Sequence, residues 1–344
     1  MKCALITGIA GQDGSYLAEW LLDKGYRVAG FARRETWMRS PWAARFGSRV
    51  EMHFGDMAEG IDIATAVAEV QPDEVYNLAS QSRPSESWSR AAETLLVNGT
   101  GALRLLEAVR HARPTARVYN ASSSEMFGRA SEAPLDENTS FNPLSPYAAA
   151  KVYAHQMACI YRETYDLHVC SGILFNHESE RRPLHYVSQK IAYGAACASL
   201  GIETSPDLNE IGQPIVRNGA LALGDLNVAR DWGHARDFVR AMWLMLQRDR
   251  PEDFVIGTGR LHSLERMCEV AYGFVGLSWR AHVVSDPALA RPIEARQSLA
   301  DPRKAREVLG WQPSITFEDM VLGMVDTQRR RLQARQSGRS IDIA

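Results

Sequence analysis

The stretch CALITGIAGQDGSYLAEWLL, residues Cys3 to Leu22, begins as a short apolar run, breaks at Gly8-x-x-Gly11-x-x-Gly14 and turns helical from Ser15 to Leu22. Strand, glycine turn, helix is the setting in which bare backbone approaches a pyrophosphate lying at a helix N-terminus. The spacing differs from the commoner Gly-x-Gly-x-x-Gly, so the surrounding pattern carries the reading. Gly8, Gly11, Gln12, Asp13 and Gly14 are the candidate dinucleotide turn.

Working outward, a second strand from Arg27 to Phe31 ends in Ala32-Arg33-Arg34. An acid here would hold the two ribose hydroxyls of NAD, whereas arginine suits a 2′-phosphate. Arg33 and Arg34 therefore predict NADP, while Glu35 beside them keeps the plainer reading of surface charge open. A third strand, Val50 to Phe54, leads into Gly55-Asp56-Met57, where an adenine edge could be bound. A fourth, Glu74 to Leu78, leads into Ala79-Ser80-Gln81-Ser82; Leu78, Ala79, Ser80 and Ser82 join the candidate cofactor residues.

A long helix is expected from Ala91 to Arg113, with Leu95, Leu96, Leu103, Leu106 and Val109 on one stripe, the mark of a core-facing side. The fifth strand, Arg117 to Ala121, carries Ser122, Ser123 and Ser124 at its carboxyl end, where ligands bind in open α/β sheets. A sixth strand spans Val169 to Leu174. Strands alternating with helices on short links give an α/β, doubly wound parallel sheet of the Rossmann type.

Between the fifth and sixth strands, Tyr147-x-x-x-Lys151 opens a helix. Residues four apart share a helical face. Free tyrosine has a pKa near ~10, but an ammonium held close favours the phenolate. The pair can move a proton on or off an alcohol oxygen while a hydride crosses at the carbon beneath. By itself the pattern reads first as an ordinary surface helix; its place beside a serine-ended strand and a dinucleotide turn raises it.

After Leu174 the rhythm breaks into the polar run Phe175 to Pro183. A helix from Ser188 to Leu200, a loop from Glu203 to Gly219, short strands at Leu221 to Leu226 and Arg230 to Trp232, a helix from Ala235 to Gln247 and a strand from Phe254 to Gly257 follow. Residues 1–174 with 231–258 are expected to form the dinucleotide-binding domain. Residues 175–230 with 259–330 should form a smaller, discontinuous substrate domain closing over the substrate. Residues 331–344 read as a basic tail, with Arg329, Arg330, Arg331, Arg335 and Arg339 a solvated helix end suited to the dipole.

The 344 residues exceed the usual size of one core, and 45% hydrophobic with 23% charged residues is globular. A net charge of -2 gives no reason to expect nucleic acid or an anionic membrane. Cys3, Cys159, Cys170, Cys197 and Cys268 are scattered without metal-ligand spacing, as for buried thiols in a reducing compartment. The chain starts directly on a strand, and no apolar run nears the ~18 residues of a membrane span. The expected location is the cytoplasm.

Six stretches together resemble one family: TGIAGQDGSYLAE, SSSEMFG, SPYAAAK, GILFNHESERR, ARDWGHARDFVRAMWLMLQ and LGWQP, running from residue 7 to residue 313. The chain resembles the extended short-chain dehydrogenases/reductases and, within them, the GDP-mannose 4,6-dehydratases. Tyrosine and lysine mark only the superfamily; Gln12-Asp13 and Asn176-His177-Glu178-Ser179 are more particular.

The resemblance implies oxidation of the sugar at C4 by hydride transfer to NADP, loss of water across C5 and C6, and return of the hydride to C6. The cofactor is then a stored reagent. By motif position Tyr147 would deprotonate the C4 hydroxyl, Lys151 would tune it and hold the nicotinamide ribose, Ser123 would hydrogen-bond the C4 oxygen, and Glu125 would serve as the carboxylate near C5 that a simple reductase lacks. His177 and Arg182 match positions near the NADP. Ser82, Asn176, Lys190, Arg230, Arg291 and Glu294 fall with Ser123 and Glu125 on the side of the nucleotide diphosphate sugar. Family members assemble as dimers or tetramers, so a homodimer or homotetramer is expected, the Leu95 to Val109 stripe being partly intersubunit.

Departures cluster on the expected substrate side. Ser123 stands for the family's threonine; Gln81-Ser82-Arg83-Pro84, Arg181-Arg182-Pro183 and Gln189 replace Q-S-H-V, R-R-G and an arginine; Arg291 to Arg296 reads R-P-I-E-A-R for R-P-T-E-V-D. The 203–219 loop is longer than usual. Retained chemistry with a related sugar, such as GDP-manno-heptose, stands beside GDP-mannose. A GDP-4-keto-sugar reductase or epimerase, which would need no glutamate at 125, and a non-catalytic NADP sensor are the alternative readings.

Overall fold

Each short apolar run becomes a strand of one sheet. The computed structural model describes residues 1–129, 134–209, 211–289 and 297–338. The strands are β1 (Cys3–Thr7), β2 (Arg27–Ala32), β3 (Val50–Phe54), β4 (Glu74–Asn77), β5 (Arg117–Ser123), β6 (Val169–Leu174) and a seventh, Phe254–Ile256. They pair in parallel in the order Phe254–Ile256, β6, β5, β4, β1, β2, β3. β1, β4 and β6 are buried along their whole length, as expected of strands covered on both faces.

Alternation divides the faces. Cys3 and Leu5 of β1 point with Val75, Val118 and Val169 toward the helices Gly60–Val70, Gly101–Ala112 and Pro146–Tyr165, in one apolar cluster with Ile63, Val67, Leu106, Val109 and Tyr161. On the other face lie α1 (Gln12–Asp23) and the helix Ala235–Leu246, joined by an edge-on contact of Trp20 and Trp243. The sheet is doubly wound, as its alternating pattern implies.

Contacts divide the chain into two compact units. The first is Met1–Phe175, Ala235–Gly259 and Ala300–Gln312; the second is Asn176–His234, Arg260–Leu299 and Pro313–Ala344. Two boundaries differ from the sequence reading. Residues 300–312 belong to the first unit because Trp311 is fully buried, donates its indole N–H to the Asp237 carbonyl at 2.8 Å and packs edge-on against Phe238. The strand Ala229–His234 belongs to the second, where it runs parallel to Asn176–Glu178 and antiparallel to Leu261–Ser263.

The second unit has its own core, built from the helices Val187–Ser199, Leu264–Phe274 and Phe317–Gln336 with Ile215, Leu221, Trp232 and Val283. The basic run is not a separate tail. The Phe317–Gln336 helix carries Arg329 to Arg335 as its last turns, with Leu332 buried, Arg331 donating to the Glu180 carbonyl and Arg335 paired with Asp207 at 2.6 Å. Among the described residues, no helix is long and apolar enough to cross a membrane.

The long helix expected from Ala91 to Arg113 is interrupted. Ala91–Leu95 and Gly101–Ala112 are α-helical, with a π-turn at Leu96–Thr100 between them. The leucine stripe divides accordingly: Leu106 and Val109 are buried, whereas Leu95 and Leu96 are nearly half exposed.

Candidate active site

At the carboxyl end of β1 the chain turns at Gly8, whose φ of +70° and close approach to the 78–79 backbone leave no room for a Cβ. Gly14 is as restricted: a Cβ there would lie 2.5 Å from the Gly8 carbonyl oxygen. The Gly11 N–H donates to that carbonyl and Gly11 caps α1, which starts earlier than the periodicity suggests because Gln12 and Asp13 form its first turn. Gln12 and Asp13 are joined by a 3.0 Å side-chain hydrogen bond. The turn thus offers side-chain-free backbone at a helix N-terminus, which fits a pyrophosphate.

Past β2, Arg33, Arg34 and Arg39 line an open pocket of ≈ 830 Å³ with Ala10, Glu35, Phe54 and Gly55. The Arg34 guanidinium lies 4.1 Å over the Phe54 ring, which orients it while leaving its donors available. Asp56 is occupied locally, its carboxylate accepting from the Ala58 N–H, and the Met57 side chain is buried in the core, so Met57 can offer only backbone.

The segment from Leu78 to Ser82 is fixed from two sides. The Thr7 hydroxyl of β1 accepts from the Leu78 and Ala79 N–H groups. The Asn98 carboxamide accepts from the Ser80 hydroxyl and the Gln81 N–H and donates back to the Gln81 carbonyl. Asn98 lies on the π-turn, and sequence reading missed it; the available signal was Asn98-Gly99-Thr100-Gly101, four weak helix formers inside a helix.

The Pro146–Tyr165 helix is capped by Ser145, which accepts from the Ala148 N–H, with Pro146 at its first position. Tyr147 and Lys151 are both buried on it. The Lys151 ammonium donates to the Ala121 carbonyl of β5 at 2.7 Å and lies 5.9 Å from the Tyr147 ring. Burial pushes the lysine pKa down to about 8, with the Asp13 carboxylate of α1 acting in the opposite sense. Two residues past that carbonyl, Ser123 accepts from the Glu125 N–H at 3.2 Å, so Ser123 and Glu125 share the turn that ends β5. The structure therefore brings the glycine turn, Ser123, Glu125, Tyr147 and Lys151 to the carboxyl end of one sheet.

In the second unit, Asn176 and His177 lie on the strand Asn176–Glu178, and Arg230 on its neighbour. Arg182 stacks at 3.7 Å on Tyr186 and pairs at 3.1 Å with the buried Glu178, which also accepts from the Ser188 hydroxyl. Lys190 is buried on the Val187–Ser199 helix. Gln189, in place of the expected arginine, is turned inward, bonding the Ser179 carbonyl and Gln328. Arg291 and Glu294 lie outside the described residues.

The fold is that of the extended short-chain dehydrogenases/reductases. The family described as GDP-mannose 4,6 dehydratase matches residues 5–324. Among curated relatives, GDP-mannose 4,6 dehydratase 1 of Arabidopsis thaliana is 42% identical over 337 residues, 94% of this chain and 89% of that one. GDP-mannose 4,6-dehydratase of Yersinia enterocolitica is 39% identical over 389 residues, covering 100% and 99%. In fold alone, the chain is similar to a Thermotoga maritima UDP-glucose 4-epimerase (TM-score 0.82, 23% identity, 96% and 99% covered). A Bacillus anthracis dTDP-glucose 4,6-dehydratase in complex with NAD is similar at TM-score 0.78, with 20% identity and 97% and 98% covered. The chain belongs to the GDP-mannose 4,6-dehydratase family.

Proposed function

We propose that this chain is an NADP-dependent GDP-sugar 4,6-dehydratase acting on GDP-mannose or a closely related GDP-manno-sugar. The observation that carries the mechanism is the anchoring of Lys151 on the Ala121 carbonyl, since that one bond ties the Tyr147 helix to the strand end bearing Ser123 and Glu125. Held by the glycine turn from Gly8 to Gly14 and by Arg33 and Arg34, NADP would supply a hydride acceptor toward C4 of the sugar and a hydride donor toward C6.

Tyr147 takes the C4 hydroxyl proton as phenolate, and the Lys151 ammonium favours that form. Ser123 donates to the C4 oxygen. Glu125 removes the C5 proton, which a 4-keto group acidifies, and so separates dehydration from simple redox. Gly8, Gly11, Gln12, Asp13 and Gly14 take the pyrophosphate; Arg33 and Arg34 take the 2′-phosphate, supported by the arginine-lined pocket. Leu78, Ala79, Ser80, Ser82, Asp56 and Met57 line the remaining cofactor path, with His177 and Arg182. Asn176, Lys190, Arg230, Arg291 and Glu294 hold the nucleotide diphosphate sugar, where guanidinium groups suit a diphosphate. The chain works in the cytoplasm as a homodimer or homotetramer. The exposed Leu95 and Leu96 on one helix and Tyr153, Ile160 and Tyr165 on another support that association.

Incubation of the protein with GDP-mannose and, separately, GDP-manno-heptose tests the reading. A 4-keto-6-deoxy product should form from one of them with no lasting change in NADPH absorbance. Steady NADPH consumption would replace this reading with a reductase.

A further inference from the structure

One turn beyond Lys151 on the same helix, His155 is buried among groups that the mechanism above does not use. Its Nδ1 lies 3.0 Å from the Ser122 hydroxyl and its Nε2 3.9 Å from an Asp253 oxygen. The Phe141 ring stands edge-on to it at 5.1 Å. Asp253 is gripped by both terminal nitrogens of Arg162, at 2.8 and 2.7 Å, and accepts from the Ser171 N–H. His155, Cys159 and Asp253 bring ligand-type atoms within 4.8 Å of one another. Since Arg162 takes both Asp253 oxygens, the group is a hydrogen-bonded network and not a cation site.

Burial keeps the His155 pKa below its ordinary value, with Asp253 opposing, so the imidazole is neutral near pH 7. For Asp253, burial works to raise the pKa, but the Arg162 hydrogen bonds and charge outweigh it and hold the carboxylate ionised. That carboxylate favours the tautomer protonated at Nε2, leaving Nδ1 to accept from the Ser122 hydroxyl. Ser122 is buried and lies between the two functional residues of its strand. The Ala121 carbonyl, which holds Lys151, belongs to the peptide plane that ends at the Ser122 nitrogen. A hydrogen bond on the Ser122 side chain therefore restrains the residue whose nitrogen belongs to that plane, and with it the direction of the carbonyl.

We propose that His155 is a positioning residue for the Tyr147–Lys151 pair: through Ser122 it aims the Ala121 carbonyl that holds the lysine ammonium, on a helix that Arg162 separately anchors to Asp253. The inference rests on reading Tyr147 and Lys151 as the proton-handling pair. It also assigns Ser122 a task distinct from that of Ser123.

The test is a tyrosinate absorbance titration of the full chain with NADP bound, each protein compared with its own Tyr147→Phe counterpart so that the difference isolates Tyr147. With the ammonium displaced, the phenolate loses a favourable charge, and its titration midpoint should rise by about one pH unit in His155→Phe and in Ser122→Ala. In His155→Asn, whose amide reaches the same distance as Nδ1, the midpoint should stay within a few tenths. Turnover should fall about tenfold in the first two variants with KM for the GDP-sugar within about twofold, as expected of a group that acts on proton transfer and not on binding. Should His155→Phe fold poorly, Ser122→Ala alone carries the comparison. An unmoved midpoint in Ser122→Ala overturns the proposal, as does an equal rise in His155→Asn. Because the titration needs no turnover, a failure of the positioning role is distinguished from a failure of the proposed activity, which the product assay on the unsubstituted protein reads separately.

Discussion

Lys151→Met should make this protein more stable at neutral pH while abolishing its chemistry. Burial lowers the Lys151 pKa from 10.5 to about 8. That difference corresponds to roughly 3 kcal/mol by which the folded state is penalised for holding a charged amine. Methionine removes the penalty at similar length, but it leaves the Ala121 carbonyl without the 2.7 Å donor it now has, a loss of about 1–2 kcal/mol. The expected net gain at pH 7 is about 1–2 kcal/mol. Below pH 8 the amine is protonated in folded and unfolded chains alike, so the whole penalty is present. Between 8 and 10.5 the folded form sheds its proton while the unfolded form keeps it, and the penalty shrinks; above 10.5 it is gone. Denaturant unfolding of the cofactor-free protein and its variant, at pH 7 and again near pH ~10, measures the gap. A variant less stable than the parent at pH 7, or a gap that does not narrow with rising pH, would refute the account of the buried ammonium.

Glu125→Gln should reduce formation of the 4-keto-6-deoxy product by about 10²–10⁴-fold, the usual worth of a positioned base, while C4 oxidation survives. Single-turnover absorbance would then show reduced cofactor accumulating; full product formation would remove Glu125 from the mechanism. Arg33→Ala with Arg34→Ala should weaken NADP by about 10–100-fold, the worth of charged hydrogen bonds, and leave NAD nearly unchanged, as read by equilibrium titration of both dinucleotides. Leu95→Glu with Leu96→Glu should shift the assembly toward monomer in light scattering, because two charges would be placed on an exposed apolar helix face. An unchanged mass would move the association surface elsewhere.

What the sequence made legible was local. The turn from Cys3 to Gly14 and the helix opening at Tyr147 depend on neighbours within a few residues, and both stand where their spacing places them, save that α1 already begins at Gln12. Arg33 and Arg34 were readable as residues just past a strand end, and there they line an open pocket with Ala10 and Phe54. The groups that hold these parts in register are distant in the chain. Asn98 reaches back to Gln81, Ser122 forward to His155, and Arg162 across to Asp253, and none leaves a periodicity. Trp311 was invisible for a related reason: its tryptophan reads as core of some kind, but nothing local says which unit it completes. The basic run was half legible: it closes a helix with Arg330 and Arg335 exposed, as charge at a helix end predicts, but Arg331 and Arg335 also each find an acceptor far upstream.

A second set of distant groups lies in one row across the sheet. Thr7, Asn77, Asn120 and Ser171 fall opposite one another or in adjacent register on four consecutive strands of the sheet, all buried. Thr7 donates to Asn77 at 3.1 Å, Asn77 to Asn120 at 3.2 Å, and the Asn120 amide reaches the Ser122 and Ser171 hydroxyls at 3.4 and 3.5 Å. A row of polar side chains inside a sheet is costly unless each member satisfies another, so a slip of either inner strand would orphan two neighbours and of either outer strand one. At one end of the row Thr7 also takes the Leu78 and Ala79 N–H groups beside the glycine turn; further along, Asn120 reaches Ser122, which meets His155. The proposed pyrophosphate turn and the proposed proton-transfer pair are thus held by one continuous polar line across the strand ends. For a reaction that must return its hydride to a carbon two positions along the sugar, such a line keeps the proton-handling groups fixed relative to the cofactor turn while the intermediate changes shape.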